Sequence, residues 1–287
     1  MNFSKSWKKA YLDYVNFKEL AEMQEQPLIS HVVELIDRLR KALYAILVAF
    51  ILVFAFKYSI VDVNPPGIPI IVPMPSIDDS FSVSVIKFFI HAMVPRGVEI
   101  ITISPFDPLL AAAQVSLFLA IVIALPIILW EFWAFVSPGL YEHEKRALKA
   151  SVLPAMGLFA LGALFAYLVI IPVMFKFFLF YAKSLNVAPT ISLRSFVQFV
   201  LSLMFSMGLA FQTPLIMVLL TKFRLVKAST WWRYWRWGVL VSFIFALIVS
   251  PGTTGGVIET IIGVTMSMLY ITGAAISTMI SRKREKE

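Results

Sequence analysis

Two carboxylates, Glu142 and Glu144, stand in the run SPGLYEHEKR, residues 137–146, beside Lys145 and Arg146 and close to Lys149. Acid set into an otherwise basic loop between two long apolar stretches fits a loop that must hold a positively charged ligand. A further acid opens the first apolar helix, in HVVELIDR from His31 to Arg38. With Ser30 as N-cap, Glu34 is the fourth helical residue, one beyond the position a capping box uses. Two descriptions of Glu34 weigh equally: a ligand-binding acid, or half of an i,i+4 pair with Arg38. Asp37 and Lys41 form the same kind of pair, and each is worth only about 0.3–0.5 kcal/mol. Glu142 and Glu144 have a similar plain description, as solvated charges beside Lys145 and Arg146. Residues two apart on a helix diverge, so at most one of them faces a site shared with Glu34.

Four polar residues fall inside apolar stretches: Gln114, Glu131, Gln212 and Glu259. Groups of this kind are expensive in a bilayer and usually face protein or a water-filled cavity. Gln212 is followed by Pro214, whose missing N–H frees the carbonyl of Ala210. That predicts a wet, kinked spot, in which Gln212 is either interhelical glue or part of a functional pocket. Glu131 lies between Trp130 and Trp133 and reads as interfacial. The run WWRYWRW, Trp231–Trp237, reads as an aromatic belt with Arg233 and Arg236 snorkelling; a cation–π cage is its alternative.

The elements that carry these residues are membrane spans. The 287-residue chain is 60% hydrophobic and only 15% charged, with mean hydropathy +0.85, where soluble domains sit near 45–50% apolar and 25% charged. Spans need roughly 20 apolar residues. Six are expected: Ala42–Phe56, Leu109–Val136, Ser151–Val173, Phe196–Leu220, Trp237–Val249 and Val257–Ile280. The fifth is short. The first external loop, Val61–Asp107, is long and proline-rich, with a short surface helix expected at Phe81–Met93. The loop Phe175–Leu193 is of middling length. Pro138 and Gly139 end the second span.

The charge distribution orients the chain. Only Lys57, Lys87, Arg96, Lys176, Lys183 and Arg194 fall on one side; every other Lys and Arg falls on the side of both termini. Termini and basic loops are therefore expected in the cytoplasm, which accounts for the net charge of +8 without nucleic acid. The absence of cysteine excludes disulfides and thiolate chemistry, and the three histidines lack metal-ligand spacing. No nucleotide loop, Ser-His-Asp pattern or external carboxylate pair is present. No enzyme activity and no cofactor are implied. The polar first forty residues predict no cleavable signal peptide.

The same residues carry a family resemblance that runs from Pro27 to the last span. HVVEL at His31–Leu35, SPFD at Ser104–Asp107, LPIILWEFWAFVSPGLYEHEKR at Leu125–Arg146, MGLAFQTPL at Met207–Leu215 and SPGTT at Ser250–Thr254 resemble TatC, the multispanning receptor subunit of the twin-arginine protein translocase. The resemblance implies an all-α integral membrane protein: six helices in a curved, glove-like wall capped by the long first external loop. It also implies binding of the twin-arginine signal peptides of folded cargo at the cytoplasmic face of the cell membrane. Assembly with single-span TatA/TatB-type subunits, with lipid and with further copies of the chain, driven by the proton-motive force, comes with it.

Carried over by position, Glu34 and Glu144 are the arginine-binding acids, with Phe135, Tyr141 and His143 around them. Gln212 and Pro214 form a pocket for the partner helix. A guanidinium takes a carboxylate bidentately, and two arginines need two acids. Three positions depart from the family pattern. Ile36 replaces an arginine, Gln212 replaces a glutamate, and the acid usual near Gly255 is missing. Residues 1–26 are expected to be a cytoplasmic extension, 27–280 the membrane domain and 281–287 a charged tail. Two other functional readings are a small-solute secondary transporter, against which no internal repeat or paired helix break is seen, and a structural relative that no longer transports.

Overall fold

The computed structural model describes residues 31–63, 68–136, 142–250 and 256–284, with side chains described for all of these except 59–63, 68–71, 142–144 and 283–284. The first helix, α1, covers 31–55. Its charged residues end at Lys41, and its apolar stretch begins at Ala42. It stops where β1 (Phe56–Val63) begins and pairs antiparallel with β2 (Ile68–Pro75), from Phe56 opposite Pro75 to Val63 opposite Ile68. This hairpin was not expected from so many prolines. Pro69, Pro73 and Pro75 all sit at odd positions, however, so their missing N–H groups fall on one edge of β2 and leave the ladder to its partner intact.

The short external helix is found where expected, as α2 (Phe81–Met93). It is more than a surface helix, because Ile86, Phe89 and Met93 are buried against the core. After it, β3 (Glu99–Ile101) pairs in parallel with β4 (Thr190–Ser192), tying together the external segments that precede the second and fourth spans.

The second span is α3 (Asp107–Val136). The third is α4 (Glu142–Phe165), a π-helical turn at Ala166–Ile170, and α5 (Ile171–Ser184). Helix therefore continues well past the expected end at Val173, and the external loop is correspondingly shorter. The wide turn precedes Pro172, which lacks the N–H for an i→i−4 bond and crowds the preceding turn, and a π-turn is one of the recognised ways to accommodate such a break. The fourth span is divided at Phe211–Gln212 into α6 (Leu193–Ala210) and α7 (Thr213–Lys222), the position that Pro214 marks. The short α8 (Ala228–Arg233) leads into α9 (Trp235–Val249), whose 15 residues reach about 22 Å at 1.5 Å per residue. The last span is α10 (Val257–Arg284).

Four of the described helical stretches are long and apolar enough to cross a membrane: Asp107–Val136, Lys145–Ser184, Leu193–Lys222 and Val257–Arg282. With the apolar part of α1 and the short α9 they make six spans. The core lies between α3, the π-turn and α6, where Val115, Ile170, Ile171, Phe196, Val200 and Met207 are at most 1% exposed. Large apolar side chains such as Leu153, Leu247 and Ile248 point outward, as lipid-facing residues must. The crossing of α4 and α6 depends on small residues: a Cβ at Gly162 would strike the Met207 carbonyl, and one at Gly208 would meet the Phe159 ring at 2.6 Å. Such close backbone approach is how membrane helices gain packing without a hydrophobic driving force.

Candidate functional site

The expected acid Glu34 is found in an ion-pair cluster that joins α1 to α3. Arg38 donates from Nε and Nη2 to Glu34 Oε1 at 3.0 and 2.5 Å, and from Nη1 to Glu131 Oε2 at 3.2 Å. One guanidinium thus lies between two carboxylates from different helices. Side-chain exposure is 32% at Glu34, 23% at Arg38 and 16% at Glu131, so the cluster is reachable from outside. The hydrogen bond to Glu34, ahead of that to Glu131, holds the guanidinium above its ordinary pKa against the opposing pull of burial. His31 Nδ1 lies 3.8 Å from Glu34 Oε2, and its ring is 4.9 Å from that of Phe135. Glu34 and Phe135, both expected at the site, are therefore brought together through His31.

The pairing of Glu34 with Arg38 was foreseen as an i,i+4 contact, whereas Glu131 was expected only to be interfacial. Its spacing of four from Phe135 puts the two on one face of α3, and that spacing was the available sign. Ile36 is 60% exposed, so Arg38, one turn along from Glu34, is the arginine that engages it.

Glu142, His143 and Glu144 are not loop residues but the opening turn of α4. Acids there complement the partial positive charge of a helix N-terminus, which supplies a structural reason for two carboxylates in a basic setting. Backbone alone is described at these three residues. Pro138, Gly139, Tyr141, the N-terminal extension and the turn from Pro251 to Gly255 lie outside the described residues.

Gln212 bridges two spans. Its Nε2 donates to the carbonyl of Ala155 on α4 at 3.0 Å and to that of Gly208 at 3.4 Å. The Ala210 carbonyl, freed by Pro214, accepts from Thr213 Oγ1 at 2.8 Å. The carbonyl freed by the proline is thus satisfied within the chain, while Gln212 itself stays half-buried. Pro214 is buried in the first turn of α7. At the start of α3, Asp107 is 4% exposed, and its Oδ2 accepts the backbone N–H groups of Ile103 and Ser104 at 3.0 and 2.9 Å. Glu259 is buried and accepts from Ser250 Oγ at 2.8 Å. Gln114 Oε1 is buried with no partner.

The tryptophan run serves as a clasp. Trp231 Nε1 donates to Thr221 Oγ1 on α7 at 2.9 Å, and Trp232 Nε1 donates to Thr278 Oγ1 on α10 at 3.0 Å. Arg233 and Arg236 lie over the neighbouring rings of Tyr234 and Trp235, each 5.9 Å from the centroid, so these rings are engaged by the chain's own cations. Among the described residues no group of three or more His, Asp or Glu is arranged to hold a metal ion.

Six helical spans, small external sheets and an acidic rim at the end where basic segments gather define a multi-pass α-helical membrane protein. The chain belongs to the TatC family: the family model for Sec-independent protein translocase protein (TatC) matches residues 30–262. It is 34% identical to the Sec-independent protein translocase protein TatC of Campylobacter jejuni over 221 residues, 77% of this chain and 82% of that protein. The corresponding protein of Aquifex aeolicus is 32% identical over 190 residues, 66% of this chain and 78% of its own length. A crystal structure of the twin-arginine translocase receptor TatC superposes with a TM-score of 0.67 at 26% identity, covering 88% of this chain and 99% of that one. The six-span helical architecture is borne out by that likeness. Membership in a protein-translocase family also sets aside the small-solute transporter.

Proposed function

We propose that the chain is the signal-peptide receptor of a twin-arginine translocase and acts by binding and assembly, without catalysis of its own. It takes the paired arginines of the signal peptides of folded proteins at the cytoplasmic end of α1, α3 and α4. The observation that carries this reading is the guanidinium of Arg38 clamped between Glu34 and Glu131. The rim already binds the functional group that a twin-arginine peptide presents, with the charge-assisted, forked hydrogen bonds suited to it. Glu34 and Glu144 are the arginine-binding acids, His31 and Phe135 form a ring-lined flank, and Tyr141 and His143 complete the surface.

Both termini lie in the cytoplasm, and the membrane is the cytoplasmic one, in keeping with the distribution of Lys and Arg. Residues 1–26 form the cytoplasmic extension, 27–280 the membrane domain and 281–287 the charged tail. The break at Gln212 and Pro214 receives the helix of a single-span TatA/TatB-type subunit, and the assembled complex draws on the proton-motive force. The test is photo-crosslinking from position 144 to a signal peptide with paired arginines, alongside binding by Glu34→Gln and Glu144→Gln. Loss of crosslinking when the arginines become lysines supports the reading; wild-type binding by both variants refutes it. Failure to rescue export in a strain lacking its own receptor, despite peptide binding, would mark a relative that recognises cargo but no longer assembles.

A further inference from the structure

Between α3 and α4, at the end of the membrane where the basic residues gather, a cavity of about 260 Å³ is lined by Trp130, Trp133, Lys145, Leu148, Lys149 and Val152. Its lining is aliphatic and indole surface together with the side chains of Lys145 and Lys149. Lys149 is held there, its Nζ 5.5 Å from the centre of the Trp130 ring, a cation–π distance. Apolar walls and cations at the interface form a site for an amphiphile with an anionic head.

We infer that this cavity holds the phosphate headgroup of an anionic phospholipid. Lys149, with Lys145 beside it, meets the phosphate, and Trp130 and Val152 lie along the start of the acyl chains. Basic pockets between helices at a membrane surface are a recurring form of lipid-headgroup site. The lysine stems lie along apolar surface while their ammonium groups reach the interface. The inference needs only that this end of α3 and α4 lies at a membrane surface. It does not depend on peptide recognition by Glu34 or Glu144.

The test uses the full chain purified in a neutral detergent, without signal peptide, and measures lipid retained by native mass spectrometry. Phosphatidylglycerol and phosphatidylcholine with identical acyl chains are compared. The wild-type chain is expected to retain phosphatidylglycerol up to about twenty-five-fold better, because each of the two lysines near an anionic headgroup is worth about fivefold in binding. Lys149→Gln should lose about fivefold of that retention, and Lys145→Gln with Lys149→Gln most of the preference. Lys227→Gln, an exposed cation away from the cavity, should change nothing. Equal retention of the two lipids overturns the inference, as does a double variant no weaker than Lys227→Gln. Displacement of phosphatidylglycerol by glycerol phosphate at equal concentration also overturns it, because the site would then take a soluble phosphate rather than a lipid.

Discussion

Arg38 and Glu131 are 93 positions apart and joined by a hydrogen bond of 3.2 Å, so the first span and the inner end of the second are held by a guanidinium that Glu34 also grips. On the proposed reading, a peptide arginine that comes to Glu34 meets a carboxylate already held by a group of its own kind. Arg38 is then a resident competitor, and its two acids are unequal in depth: Glu131 is the more buried and Glu34 the more accessible. Glu34→Gln should weaken binding of a twin-arginine peptide about three- to tenfold, the range expected for one partly exposed charge-assisted hydrogen bond. Arg38→Gln should strengthen it about threefold by leaving Glu34 open. Fluorescence anisotropy of a labelled peptide measures both. An Arg38→Gln chain that binds as poorly as Glu34→Gln would show instead that Arg38 orients the acid.

The contact of α4 with α6 makes opposite predictions for two glycines five residues apart. Gly157 has open space where a Cβ would stand, while at Gly162 that atom would collide with the Met207 backbone. Alanine raises helix propensity by about 1 kcal/mol at either site. Gly157→Ala should therefore be neutral or stabilising. Gly162→Ala should lose stability despite the better propensity, and Gly162→Val should lose more, in the range of about 1–3 kcal/mol for overpacking. Thermal unfolding of the purified variants checks the contrast; equal midpoints for the two alanine variants would refute the close crossing.

How far these features were legible in the chain depended on the range of the interaction involved. Phe81–Met93 was readable at both ends, because its apolar period is local and bounded by Ser80 and the approach to Pro95. The break in the fourth span was marked by Pro214. The end of the third span was not readable from the membrane rule, which limits the length of a span but not of a helix: Lys176 and Lys183 mark exit from lipid, while helix continues to Ser184. The β1–β2 hairpin was hidden by prolines that mark a loop when counted and an edge strand when their spacing is noted. At the candidate site, the i,i+4 partner of Glu34 was visible. Glu131 was not, since a pairing across 93 positions leaves no local trace beyond its helical spacing from Phe135.

Asp79 fastens the external hairpin to α2. It accepts from Lys57 at 2.5 Å and from Lys87 at 3.1 Å. These bonds, that from Lys57 first, hold its carboxyl below the usual value, and Asp79 in turn holds Lys57 above its own. A depressed acid stabilises fully above its unfolded pKa and loses that contribution as pH falls through the folded one; a raised lysine stabilises below its unfolded pKa and loses it as pH rises. The fastening should thus be constant from about pH 5 to about pH 9 and loosen below about pH 4. Hydrogen exchange in β1 and α2 should show acid loosening in the wild-type chain. Asp79→Asn should exchange faster already at neutral pH and show less further change in acid.

Asp107 has a different task at the start of α3. Its carboxylate is buried and takes two backbone N–H groups, from Ile103 and Ser104, so it closes the turn that leads into the second span. Asp107→Ala would remove the acceptor of both turn donors, at about 0.5–1.5 kcal/mol for each hydrogen bond lost. Asp107→Asn keeps one carbonyl oxygen and should cost clearly less. The thermal midpoint should fall in the order wild type, Asn, Ala; equal losses would mean that charge, rather than acceptance, is what the turn requires.

Gln212 donates where the family pattern has a carboxylate. Its Nε2 faces the carbonyls of Ala155 and Gly208, both acceptors, so an ionised acid in the same pose would meet two oxygens and supply no hydrogen. Gln212→Leu removes the bridge between α4 and the α6–α7 break and should cost about 0.6 kcal/mol, the mean for interhelical hydrogen bonds in a membrane. Gln212→Glu should cost more than leucine at neutral pH, because its charge must be desolvated against carbonyls. The deficit should shrink in acid, where the protonated carboxyl can donate to Ala155. Thermal midpoints of the wild type and both variants at neutral and acid pH decide the matter. A glutamate variant as stable as the wild type across that range would mean that the side chain leaves Ala155 and turns to water.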